Sequence, residues 1–183
     1  MITLQERILK VSGARESRHN NAQYILAHEA LFEELLLLCF SSDTQIAKRA
    51  SWVFEFVCME RNYLITPHYT YIIKNLPKLT NDSIKRPICR ALYENLKLED
   101  KNNSLRKVLS TKDEQRLIET CFDWLIGNEK VALKCHSMRM LYILGQHYNW
   151  VHKELHPILE QNIHLHTAGY KAAAKEILKK LAK

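Results

Sequence analysis

Ten residues, Ile84 to Tyr93, line up without gaps against ten others, Leu133 to Tyr142. Lys85 and Lys134, Arg90 and Arg139, Leu92 and Leu141, and Tyr93 and Tyr142 coincide, and apolar character coincides at three more positions. A third copy begins earlier: Lys48, Ser51, Phe54 and Phe56 match Lys134, Ser137, Met140 and Tyr142. A fourth, weaker copy sets Lys171 and Leu178 at the seven-residue separation of Lys85 and Leu92. Successive offsets from Lys48 are 37, 49 and 37 residues, an underlying period of about 40. A repeat of that length cannot bury its apolar stripe alone and has to stack on its neighbours. The chain is thereby restricted to architectures built by repetition.

The repeats read as helical. Ile46, Ala50, Val53, Phe54 and Val57 recur at spacings of three and four, and so do Leu117, Ile118, Cys121, Phe122 and Leu125. Four Gly and four Pro in 183 residues are too few breakers for a fold of many tight turns. Ser42 or Asp43, Asn81 or Asp82, Thr111, Asn128 and Thr167 are expected N-caps, with Glu114 completing a capping box on Thr111. Pro67 suits a first helical turn, and Gly127 suits a stop. Helices are predicted near 3–11, 16–26, 29–40, 43–60, 67–76, 82–97, 112–126, 129–148, 150–163 and 168–182. The fold class is all-α, an α-α superhelix of about four to five stacked helical hairpins. A single domain over 1–183 is expected, with 98–110 as an extended, mobile loop between helix pairs.

A cap-like acid, an apolar residue and then Lys or Arg open each second helix. The stretches are Asp43-x-x-Ile46-x-Lys48-Arg49, Asp82-x-Ile84-Lys85-Arg86 and Glu129-x-Val131-x-x-Lys134. This pattern resembles HEAT repeats over residues 29–182. The resemblance implies a HEAT-like (ARM/HEAT) solenoid, first helices convex and second helices concave, serving as a non-catalytic module for macromolecular, mainly protein–protein, interaction. Pro87 departs from the pattern, because inside a second helix it removes a backbone bond unless the helix starts late or kinks. Pro157 falls within a first helix, where a bend suits superhelical packing. The chain is more distantly similar to DNA-alkylation-repeat proteins, solenoids that use exposed Trp, Asp and Arg on a basic concave surface to excise damaged bases. No motif maps their catalytic residues onto this chain, so that likeness implies nucleic-acid binding as the alternative function.

Charge favours both readings. The net charge is +7, and it is uneven, with 13 basic against 12 acidic side chains in residues 1–100 and 14 against 8 in 101–183. Lys48, Arg49, Lys85, Arg86, Arg90, Lys134 and Arg139 fall near equivalent places along the second helices. They are the candidate binding residues, a ladder for nucleic-acid phosphates or an acidic partner. The competing expectation is that they pair with Asp43, Asp82 and Glu129 of adjacent repeats. Lys175, Lys179, Lys180 and Lys183 offer a basic end to an acidic partner or lipid surface. Trp52 and Trp150 follow the apolar period, which predicts burial between repeats.

Other classes lack their signatures. The five Cys, at 39, 58, 89, 121 and 135, are odd in number, show no C-x-x-C and sit among apolar neighbours. They read as buried thiols in a reducing cytoplasm. The first residues hold no apolar signal core, and the longest unbroken apolar run, Leu35 to Phe40, is far short of a membrane span. His152 and His156 are four apart, but His152 to His156 reads HKELH and not H-E-x-x-H, so no metal is expected. Cys135 and His136 are adjacent and point to different helix faces. There is no Gly-rich phosphate loop and no G-x-S-x-G. No catalytic residue, cofactor or small-molecule ligand is expected; the expected partner is a protein.

Overall fold

The computed structural model describes residues 2–182, and every regular element among them is helical. The chain packs as two compact units, Met1–Asn95 and Leu96–Lys183. The first holds α1 (Leu4–Ile8), α2 (Arg15–Ala27), α3 (Phe32–Cys39), α4 (Thr44–Glu60) and α5 (Tyr69–Asn75), and the division falls inside α6 (Asp82–Lys101). The second goes on with α7 (Leu105–Val108), α8 (Thr111–Ile126), α9 (Val131–Gly145), α10 (Asn149–Asn162) and α11 (Ala168–Leu181).

Local chemistry sets the boundaries. Thr3 and Glu6 form a reciprocal capping box on α1 at 3.2 and 2.8 Å. The Asp43 carboxylate accepts from the Gln45 and Ile46 amides at 2.8 and 3.2 Å and opens α4. The Ser83 amide donates to Asn81 Oδ1 at 2.8 Å where α6 begins. The cap of α8 falls one residue earlier than expected: Ser110, not Thr111, accepts from the third helical amide, and Asp113 takes the place expected of Glu114. Asn128 does not cap α9, whose N-cap is Lys130.

In the first unit α4 packs on α1, α2 and α3. Its stripe of Ile46, Ala50, Val53, Phe54 and Val57 is buried, with the Phe54 ring stacked on Phe32 at 5.6 Å. In the second unit α9 is the hub, packed on α8, α10 and α11. Met138, Met140, Leu141 and Leu144 are buried there with Leu117, Leu155 and Ile177. Burying stripes of this kind is the main stabilisation, roughly 1.5–3 kcal/mol for each large side chain.

Several expectations need correcting. Residues 98–110 are not an extended loop, because α6 runs on to Lys101 and Leu105–Val108 is helical again. Lys97, Leu98, Glu99 and Lys101 are good helix formers that hold the turn without a buried stripe. The stop comes at Asn103, with φ at 53°, a left-handed conformation that Asn tolerates better than most residues. Trp150 is 51% exposed, its ring stacked on Phe122 at 6.0 Å, because it precedes the α10 stripe of Val151, Leu155 and Leu159 by one residue. Trp52 is half-buried, and the buried tryptophan is Trp124. Cys39, Cys58, Cys89 and Cys121 are buried thiols outside any disulfide, and Cys135 is a half-buried one. Burial pushes the Cys39, Cys58 and Cys121 thiols up, so they stay protonated.

Candidate interaction groove

Three helix faces of the first unit converge on a groove of about 830 Å³. Helix α2 supplies Arg15, Arg18 and His19, one face at spacings of three and four. Helix α4 supplies Trp52, Glu55, Phe56 and Met59, which form a second stripe beside its buried one. Helix α6 supplies Ser83, Arg86, Pro87 and Arg90, again one face. The result is an aromatic and thioether floor with arginines around it.

The cations are held in different ways. Arg90 Nη1 donates to Glu55 Oε1 at 2.8 Å, and Glu55 is only 7% exposed. The Gln23 amide donates to Glu60 Oε2 at 2.7 Å. The Arg18 guanidinium lies over the Phe56 ring, 5.3 Å from its centroid, and its Nε is buried with no hydrogen-bond partner. Pro87 is inside α6 and has no N–H to give the Ser83 carbonyl, which loses its helical partner. The proline neither delays nor ends the helix, and the residue whose carbonyl it frees is an exposed one on the groove.

The residues expected to form a basic ladder divide sharply. Lys48 lies over the Trp52 ring at 5.1 Å, Arg49 is half-buried, and Arg86 is exposed in the groove. Lys85 and Lys134, which coincide in the sequence repeat, are both buried to 6% exposure. Lys134 Nζ donates to the carbonyls of Leu125 at 2.8 Å and Gly127 at 2.7 Å and so closes the C-terminus of α8. Burial pushes its ammonium below the ordinary lysine value. Arg139 donates from Nη2 and Nε to Glu176 Oε2 at 2.9 and 3.3 Å. Asp43 is spent on its own cap, and the carboxylates that meet Arg90 and Arg139 are Glu55 and Glu176. Arg90 reaches back 35 residues and Arg139 reaches forward 37, although the two occupy the same repeat position.

Glu176 gives this pairing a pH signature. Partial burial raises its carboxyl, but hydrogen bonds from Lys180 and Arg139 outweigh that and hold it below 4.5. A depressed carboxylate adds stability that is present above the unfolded value and is lost as pH falls through the folded one. Arg139→Gln is therefore expected to raise the Glu176 pKa, read from its side-chain carbon shifts in an NMR titration. It should also flatten the loss of stability in that acid window. An unmoved Glu176 titration would contradict the pairing.

His147, His152 and His156 each have a partner within the protein. His152 Nε2 lies 2.8 Å from the Tyr142 carbonyl and its ring stacks on Tyr142, while His156 faces Glu160 at 3.3 Å. His147 Nδ1 and the Tyr148 hydroxyl meet the buried Glu114 carboxylate at 3.2 and 2.5 Å. Among the described residues no three His, Cys, Asp or Glu gather as metal ligands.

A family model described as the HEAT repeat domain matches residues 5–181. The chain is a HEAT repeat protein. Comparison with curated proteins and with solved structures finds no match. The groove is built from α2, α4 and α6, all within the matched residues. Among the described residues no helix is long and apolar enough to cross a membrane.

Proposed function

We propose that this HEAT repeat protein is a non-catalytic interaction module whose first unit grips a protein partner at the α2, α4 and α6 groove. The observation that carries this reading is the groove's composition, with Trp52, Phe56 and Met59 as a floor and Arg15, Arg18 and Arg86 around it. Aromatic residues, Met and Arg are enriched in protein interfaces and dominate their binding energy. The module works in the cytoplasm, where its five thiols stay reduced.

Nucleic-acid binding is the weaker reading, because backbone phosphates need accessible cations. Lys85 and Lys134 are buried, while Arg90 and Arg139 are already ion-paired. Lys48, Arg49 and Arg86 remain from the ladder. The test is fluorescence anisotropy of a labelled DNA duplex in low and physiological salt. The wild-type chain is compared with the triple variant Lys48→Glu, Arg49→Glu, Arg86→Glu. Weak binding that salt abolishes is expected. Saturable binding at physiological salt that the variant loses would overturn the protein reading.

A further inference from the structure

We infer that the groove's occupant is an extended acidic segment of a partner protein, with one aromatic side chain set between carboxylates. This rests on the groove being the contact surface and names what fills it. Arg90 and Glu55 neutralise each other, and Glu60 offsets only one of Arg15, Arg18 and Arg86, so the groove keeps an excess of positive charge. Arg18 is held in orientation by the Phe56 face, and its buried Nε has no acceptor in the protein. Arg18 lines the groove, so its guanidinium is a charged donor that a carboxylate entering there would meet. The Ser83 carbonyl, deprived of its helical partner by Pro87, is the complementary group and can accept from an N–H donor brought into the groove.

An extended peptide backbone offers both a carbonyl and an N–H, whereas a phosphodiester backbone offers only acceptors. The floor of Trp52, Phe56 and Met59 favours an aromatic side chain, which gains ring stacking and sulfur contact beyond simple burial. Acidic residues on either side then face the arginines.

The experiment uses the full chain and a labelled peptide of sequence Asp-Glu-Phe-Asp-Glu. Binding is read by anisotropy and by the Trp52 indole NMR signal, assigned with Trp52→Phe. Arg18→Gln and Arg86→Gln are each expected to weaken binding roughly five- to tenfold, and replacing the peptide's Phe by Ala roughly tenfold. Circular dichroism melts check that both variants fold. If either does not, the peptide substitutions and the Trp52 shift on wild-type protein still decide the matter. Equal binding of Lys-Lys-Phe-Lys-Lys, or of the Phe-less acidic peptide, overturns the inference and leaves the groove as a protein contact surface. A DNA duplex that displaces the peptide and shifts Trp52 overturns both readings. A Trp52 signal that no probe moves removes the groove itself.

Discussion

Replacing Lys134 by methionine is expected to cost the second unit about 3 kcal/mol, as two hydrogen bonds to a charged donor are lost at about 1.5–3 kcal/mol each, less the relief of a buried charge. Methionine keeps most of the stem's packing, so the loss reports the ammonium and not a cavity. The two bonds, at 2.8 and 2.7 Å, satisfy carbonyls of Leu125 and Gly127 that have no intrahelical donor at the end of α8. Urea unfolding followed by Trp fluorescence in a Trp52→Phe background reads the second unit alone, since Trp124 and Trp150 both belong to it. The contrast is Lys48→Met: Lys48 is half-buried and rests on an indole, so its change should stay near 0.5–1 kcal/mol. A Lys134→Met cost no larger than that of Lys48→Met would remove the role given to the buried amine.

The second large effect has a diagnostic sign. A Cβ on Gly145 would overlap the imidazole of His152, which packs there against Tyr142 and meets its carbonyl. By helix propensity alone Gly→Ala would stabilise by up to about 1 kcal/mol. Displacing the ring costs about 1–3 kcal/mol in overpacking and about 1 kcal/mol more for the lost bond. Gly145→Ala is thus expected to be about 2 kcal/mol less stable than wild type. In a His152→Ala background the same change should become neutral or stabilising. Thermal melts of the four proteins of this cycle give the coupling directly. Destabilisation that persists without the imidazole would place the close approach elsewhere.

Much of the fold could be read from the residues, because each helix declares itself through its apolar period. The gapless match of Ile84–Tyr93 with Leu133–Tyr142 put Lys85 and Lys134 at one register, and both are buried to the same degree. What that match could not convey was the destination of each side chain. A lysine at the start of a helix reads as a surface cation until the previous helix is seen to end within reach of its amine. The groove was hidden for a related reason. Trp52, Phe56 and Met59 are a stripe of their own, offset from Val53 and Val57, and pooling both stripes made Trp52 look like core. That offset was the available signal. Arg15 and Arg18 had none, since nothing in the spacing of α2 says that it lies against α4.

The opposite reach of Arg90 and Arg139 has a practical consequence for engineering. A solenoid of identical parts would let any repeat be cut out, copied or exchanged. Here the α6 segment depends on a glutamate supplied from the N-terminal side, and the α9 segment on one supplied from the C-terminal side. Copying either segment to a place whose neighbour lacks the matching glutamate would preserve the alignment residue for residue and yet strand its arginine. Similar letters at matching positions do not make these repeats spare parts for one another.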